Sequence, residues 1–298
     1  MRCMLSQRNE LIRTFPFPLI CIQQLRLNKN MPISELLEQA LDLIHSLDKE
    51  KKTKTEEITN TIAPLPPSVL ATFFDHTLLK ADATPQEVSK LCQEAKTYRF
   101  SSVCVNSCYI EQAKKELLGS AVKVCSVIGF PLGAMLTSVK VFEAQEAVRL
   151  GADEIDMVIS LGALKSGNHT FIREEIEQIV QATRPAIVKV ILETGSLTSE
   201  EKVIGSLLSK LAGAHFVKTS TGFGKGGATI EDVSLLRKVV GTELGVKASG
   251  GIRTKEDVEK MIAAGASRVG TSSSVAIINQ AIESSEKPSS ATLSQGGY

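Results

Sequence analysis

The chain has 298 residues, enough for one large α/β domain, and its formal net charge of +1 at pH 7 gives no global field for nucleic acid or an acidic partner. Aromatic residues make up 4%, with no tryptophan, which disfavours a base-stacking surface. No apolar run reaches the roughly 18 residues needed to cross a bilayer, so the composition reads as that of a soluble, cytoplasmic protein with no membrane or nucleic-acid partner.

Residues 1–30 carry Arg2, Arg8, Arg13, Arg26 and Lys29 against one acid, Glu10, and include the apolar run Phe15-Pro16-Phe17-Pro18-Leu19-Ile20-Cys21-Ile22. A basic, acid-poor start fits an organelle transit segment. It equally fits an extension upstream of a translation start at Met31. The two prolines and the lack of a small-residue cleavage site argue against a secretory signal. From Met31 onward, Ile33, Leu36, Leu37, Ala40, Leu41, Ile44 and Leu47 form one apolar stripe at i, i+3, i+4 spacing, which predicts an amphipathic helix. That helix suits one end of the main domain or a subunit contact. Lys49 to Glu57 is a charge run expected to be a solvated linker, and Pro64, Pro66 and Pro67 stiffen the entry to the main domain. The expected organisation is an extension over 1–30, helix and linker over 31–68, a main domain over 69–285 and a flexible tail over 286–298.

Within the main domain, strand-like runs recur at Phe73–Leu78, Ser102–Val105, Val122–Ile128, Glu154–Ile159, Ala186–Leu192, His215–Ser220, Gly245–Ala248 and Arg268–Thr271. A segment of helical period follows each. Thr84-Pro85-Gln86-Glu87 offers an N-cap, a proline at the first helical position and a capping-box acid. Thr198 with Glu201, Thr229 with Asp232 and Thr254 with Asp257 repeat the cap-plus-acid spacing. Eight β-then-α units predict a (β/α)8 TIM barrel carrying an N-terminal helical extension. The open doubly wound sheet is disfavoured because no G-x-G-x-x-G turn follows the first strand.

Such barrels place their chemistry at the C-terminal ends of the strands. Asp156, Lys189, Lys218 and Lys247 each lie inside an apolar strand, on the fourth to seventh strands in turn. Burying an ammonium costs several kcal/mol unless it is paired or loses its proton. An amine that loses its proton is a nucleophile able to form a Schiff base with a carbonyl. On this reading the four groups face an otherwise apolar lumen. Three lysines against one aspartate leave an excess of positive charge, which favours one free amine and an anionic substrate. Asp156 is then placed to move protons. The competing reading is a structural ion-pair network that fills the barrel.

An anion site is expected in the last loops. Gly250-Gly251 follows the seventh strand, Gly270-Thr271-Ser272-Ser273 leads from the eighth into a helix, and Gly222 follows the sixth. Loops after strands seven and eight commonly make a phosphate site in these barrels. The six cysteines form neither a zinc-type pair of pairs nor a disulfide framework; Cys104 and Cys108 share a metal or, more simply, are buried thiols. His45, His76, His169 and His215 show no ligand spacing, so neither a metal nor another cofactor is expected.

Asp75-His76-Thr77-Leu78-Leu79, Asp153-Glu154-Ile155-Asp156, Val188-Lys189-Val190-Ile191-Leu192-Glu193-Thr194, Lys218-Thr219-Ser220-Thr221-Gly222-Phe223 and Lys247-Ala248-Ser249-Gly250-Gly251-Ile252-Arg253 together resemble the deoxyribose-phosphate aldolase family over about residues 70–280. The resemblance implies a metal-free class I aldolase that reversibly cleaves 2-deoxy-D-ribose 5-phosphate to glyceraldehyde 3-phosphate and acetaldehyde. It makes Lys218 the Schiff-base lysine, Lys247 the group that lowers its pKa, Asp156 with a water the proton shuttle and Lys189 a supporting residue. Thr77, Gly222, Gly250, Gly251, Gly270, Ser272 and Ser273 are the residues expected around the phosphorylated sugar. A homo-oligomer, in particular a dimer, is also expected. Ala248 departs from the proline of many members but leaves the lysine and both glycines in place. Some members also end in a tyrosine thought to fold into the site, which makes the terminal Tyr298 a candidate for proton transfer. A different phosphate-binding barrel enzyme, or a non-catalytic barrel with its lysines paired and inert, remains the alternative.

Overall fold

The structure, a computed structural model, describes residues 65–286 together with positions 32, 35, 38, 39 and 42. Positions 35, 38, 39 and 42 are helical, inside the expected amphipathic helix. The 1–30 extension, the rest of that helix, the charged linker and the tail with Tyr298 lie outside the described residues.

Eight strands, β1 (Phe74–Leu78), β2 (Ser102–Val105), β3 (Lys123–Ile128), β4 (Glu154–Val158), β5 (Ile187–Ile191), β6 (Phe216–Lys218), β7 (Gly245–Ser249) and β8 (Arg268–Thr271), pair in parallel and in order. β8 returns to β1, so the barrel is closed and leaves no edge. Each strand lies within two residues of its expected ends, and the expected TIM barrel is the observed fold.

The helices begin where their caps place them. Thr84, Thr198 and Thr254 complete capping boxes with Glu87, Glu201 and Asp257. Thr229 accepts from the Asp232 N–H. Each satisfies a backbone donor that the first turn would otherwise orphan, typically worth about 1 kcal/mol.

Strand alternation divides the molecule into two interiors. The outward residues Val103, Val124, Ile155, Met157, Val188, Val190, Val217, Val246 and Val269 are fully buried beneath the helices and form the main apolar core. At about 25 cal/mol per Å² of apolar surface, this shell supplies the folding drive. Their inward neighbours fill the lumen and are of another kind. Asp75, Ser102, Cys104, Cys125, Glu154, Asp156, Lys189, Lys218, Lys247 and Arg268 are all buried. Phe216 closes one end. A Cβ on Gly245 would sit 2.0 Å from its ring, so only glycine fits opposite it.

The lumen therefore corrects one expectation. It is not otherwise apolar, because Asp75, Glu154 and Arg268 join the four expected groups. Arg268 Nη1 reaches Asp75 Oδ1 at 2.5 Å and Glu154 Oε2 at 3.3 Å, and Ser102 Oγ donates to Asp75 Oδ1 at 2.7 Å. Three carboxylates face four cations, so the positive excess is one charge rather than two.

Breaking this lattice is costly. Arg268→Met should lower the unfolding free energy by about 3–5 kcal/mol, because two buried carboxylates lose a partner. Urea unfolding measures this, and an unchanged midpoint would show the pairs to be energetically idle. Acid acts on the same groups. The cations around Asp75 and Asp156 outweigh burial and depress both carboxyls. Their stabilisation is complete above the usual aspartate value of 3.8 and is lost progressively as the pH falls below it.

Candidate active site

β4 to β7 present their charged side chains to one another across the lumen. Asp156 is paired in register with Lys189, and Lys218 with Lys247. Asp156 is the hub. Its Oδ1 accepts from Lys189 Nζ at 2.9 Å, and its Oδ2 accepts from Lys218 at 2.8 Å and Lys247 at 2.7 Å. Lys189 also meets Glu154 at 2.5 Å, and Lys247 meets Asp75 at 2.5 Å. The ion-pair network and the expected catalytic cluster are thus one object.

Its electrostatics follow from burial set against pairing. Burial opposes the charge on Asp156, yet Lys189, Lys218 and Lys247 hold its carboxyl well below the usual carboxylate range. Burial likewise opposes the charge on Lys247, but Asp156 and Asp75 push its pKa above the ordinary lysine value. Lys189 is raised well above that value, chiefly by Asp156 against the same burial. Asp156 is an anion, and Lys189 and Lys247 are fixed cations.

Above this cluster opens a cavity of about 380 Å³ at the C-terminal mouth of the barrel. Thr77, Gly222, Gly250, Gly251, Gly270, Ser272 and Ser273 all line it. Gly222, Gly250 and Gly251 have φ of +85°, +88° and +78°, a region that admits glycine at little cost. Ser272 and Ser273 precede the helix Ser274–Glu286, whose first backbone N–H groups have no intrahelical acceptor. Of the five charged groups that β4 to β7 present to the lumen, Glu154, Asp156, Lys189, Lys218 and Lys247, only Lys218 lines the cavity. Asp156, Lys189 and Lys247 lie beneath its floor.

Lys218, beside Asp156 and Lys247, opens onto a glycine- and serine-lined mouth, and a model of the DeoC/LacD family aldolases matches residues 69–277. The chain belongs to that family. It is 57% identical to the deoxyribose-phosphate aldolase of Bacillus cereus (strain AH820) over 210 residues, covering 70% of this chain and 94% of the relative. The Bacillus anthracis enzyme of the same name matches equally well. Among solved structures, an aldolase designated QR15 superposes with a TM-score of 0.69 at 42% identity, over 72% of this chain and 96% of its own. The deoxyribose phosphate aldolase of Aeropyrum pernix, described as a unique tetramer, superposes at 0.68 and 37% identity, over 72% and 91%.

Several features of this aldolase-family site are not among the residues expected from the sequence. Lys80 and Arg253 line the same cavity, with Phe223 and Ser249 beside them, and Lys80 is paired with Glu87 at 2.7 Å. The available signal is proximity, since Lys80 follows Leu79 and Arg253 follows Ile252 in loops already singled out. Loops carry no periodicity from which to read side-chain direction. Glu193 is a further addition. It is buried with φ 56° and ψ 59°, and its Oε2 accepts from the Thr221 N–H at 3.1 Å and from Thr221 Oγ1 at 2.5 Å. Thr221 Oγ1 in turn accepts from the Phe223 N–H at 3.0 Å. The loop after the Lys218 strand is thereby pinned to the end of β5. A further tie comes from Ser249 Oγ, which donates to the Ser220 carbonyl at 2.6 Å.

Another expectation is corrected. Cys104 and Cys108 do not share a site, because Cys104 points into the lumen from β2 while Cys108 is exposed in the turn Ser107–Tyr109. The strand ends between them, which breaks the side-chain register. His76 instead meets Glu94 at 2.9 Å, and His215 Nδ1 accepts from the Val188 N–H at 3.1 Å.

Proposed function

We propose that the chain is a deoxyribose-phosphate aldolase that reversibly cleaves 2-deoxy-D-ribose 5-phosphate to glyceraldehyde 3-phosphate and acetaldehyde. The observation that carries the assignment of roles is that Lys218 alone of the buried cluster opens into the cavity. Its free amine attacks C1 of the open-chain sugar and loses water, giving a protonated imine. That imine is an electron sink, so the C2–C3 bond breaks as the C3 hydroxyl gives up its proton. The enamine of acetaldehyde remains, is protonated at carbon and is hydrolysed from Lys218.

Asp156 takes part in the proton transfers, through a water to the substrate and directly to Lys218, which it meets at 2.8 Å. Lys247 shares Asp156 Oδ2 and supplies a positive charge beside the reacting amine. Lys189 fixes the other carboxylate oxygen. The backbone of Gly222, Gly250 and Gly251, the hydroxyls of Thr77, Ser272 and Ser273, and Gly270 receive the phosphorylated end. Tyr298 is a further candidate for proton transfer from outside the described residues.

Incubation with 2-deoxy-D-ribose 5-phosphate should release the two aldehydes in equal amounts, and a failure to release acetaldehyde would overturn the reading. Arg253→Ala tests the anion end. Loss of a charge-assisted contact of about 1.5–3 kcal/mol should raise KM for the phosphorylated sugar by roughly ten-fold or more, with little change in kcat. The same variant should treat unphosphorylated 2-deoxyribose much as the parent does. Equal losses on both sugars would place Arg253 outside phosphate binding.

A homo-oligomer, in the first instance a dimer, is part of this proposal. Leu132, Leu136, Val139 and Phe142 are exposed large apolar side chains within one loop and the helix that follows it. Light scattering that returns the 32.1 kDa of a single chain would count against it. Among the described residues no helix is long and apolar enough to cross a membrane. The proposed compartment is the cytoplasm.

A further inference from the structure

Two thiols in the lumen have no part in the chemistry above. Cys104 on β2 and Cys125 on β3 are register partners, and both are fully buried. Cys125 Sγ lies 3.2 Å from Asp156 Oδ1 and 3.4 Å from Lys189 Nζ. The two sulfurs and a carboxylate oxygen of Asp156 all lie within 4.8 Å of one another. A tetrahedral ion with bonds of about 2.3 Å to sulfur and about 2.0–2.2 Å to oxygen places its ligand atoms roughly 3.4–3.8 Å apart. The Cys125–Asp156 pair, at 3.2 Å, is already slightly inside that spacing, and the 4.8 Å bound on all three donors leaves adjustments of about 1 Å at most.

We propose that Cys104, Cys125 and Asp156 form a site for a thiophilic divalent cation such as Zn²⁺ or Cd²⁺, and that its occupation shuts the aldolase centre. Soft thiolates select such ions over magnesium or calcium. The surrounding lysines look at first like an obstacle, but the proton balance removes it. The ion brings two positive charges, and two new metal–sulfur bonds form as the two S–H bonds give up their protons to solvent. The lumen keeps the same net excess of one positive charge.

Other features ease the exchange. The sulfur–sulfur contact with Cys125, assisted by Lys247 and Lys218, draws the Cys104 thiol down despite its burial. Burial pushes the Cys125 thiol up, a cost that the metal–sulfur bond has to offset. Lys189 would give up Asp156 Oδ1, yet it keeps Glu154 at 2.5 Å and is not stranded. The thiols are also within reach of the cavity. Leu79 lines it and belongs to the same small apolar cluster as Cys104, Cys125 and Val127, so the sulfurs lie in a cluster that borders the mouth.

Inhibition follows because Asp156 is the hub of the site. An ion on Oδ1 would compete for the carboxylate that Lys218 and Lys247 share through Oδ2. Since two protons are released, apparent affinity should rise by about 100-fold per pH unit while both thiols are protonated in the free protein. The inhibition rests on the aldolase reading, whereas the binding does not.

The test is a titration of the full-length, reduced protein with cadmium chloride near neutral pH. Ultraviolet thiolate-to-cadmium absorption, proton release and turnover of 2-deoxy-D-ribose 5-phosphate are followed together. The expected result is a saturable band at one ion per chain, about two protons released per ion, and turnover that falls in parallel and returns with EDTA. Cys104→Ala and Cys125→Ala should each remove the band and make turnover indifferent to Cd²⁺. Cys104→Ser, closer in size, serves if alanine compromises folding. No band in the parent overturns the site. A band that persists in both alanine variants overturns it too, since the ion then sits on other thiols, such as the exposed Cys108. A band with unimpaired turnover overturns the inhibition. Metal-free protein that never turns over the sugar would sink the aldolase reading instead, and the absorption experiment would still decide the site.

Discussion

Lys218→Arg should abolish turnover, and reduction with borohydride in the presence of acetaldehyde should no longer label the protein. In the parent the same treatment should leave a reduced two-carbon adduct on the peptide that holds Lys218. The expectation rests on how differently the three lumen lysines are held. Lys189 and Lys247 each meet more than one carboxylate and lie beneath the cavity floor. Lys218 pairs with Asp156 and opens into the cavity. A guanidinium stays protonated and cannot attack a carbonyl, but it can still pair with Asp156. Loss of chemistry should therefore occur without collapse of the fold, which circular dichroism would check. An adduct mapping mainly to Lys247 or Lys189 would overturn the assignment.

Asp156→Asn should act on two quantities at once. Turnover should fall on the order of 10²–10⁴-fold, the usual worth of a positioned acid–base group. Stability should fall by about 3–5 kcal/mol, because three buried ammonium groups lose the carboxylate that joins them. The two effects separate by experiment. If the residue only held the lattice together, activity measured well below the lowered melting temperature would be close to that of the parent. A retained rate would remove Asp156 from the proton path and leave it a structural hub. Residual activity with the Schiff base still trapped on Lys218 would instead place Asp156 in the steps that follow imine formation.

Much of the site is legible in the sequence because strand alternation imposes it. A lysine or aspartate inside an apolar strand of a closed barrel must face inward, since the outer face is sealed by helices. Asp156, Lys189, Lys218 and Lys247 stand out on that ground. Asp75, Glu154 and Arg268 obey the same rule, each two residues before a residue already singled out: Thr77, Asp156 and Gly270. They do not stand out, because charges at strand starts ordinarily face solvent. Here Asp75, Glu154 and Arg268 are buried by their pairing with one another and by the packing around them.

Local interactions determined the elements of this chain. Threonine caps set helix starts, period-two apolar runs set strands, and paired glycines marked the loops that admit an anion. None of these depends on a distant residue, and each could be read along the chain. Only the tertiary structure decided which charges neutralise which, because the staggered strands of a barrel bring residues far apart in sequence to one height in the lumen. That stagger put Asp156 between three lysines, Arg268 between Asp75 and Glu154, and Cys104 against Cys125. It also raised Lys218 alone of the three lysines into the cavity, and the proposed reactive amine is distinguished by that difference in height rather than by any difference in residue type.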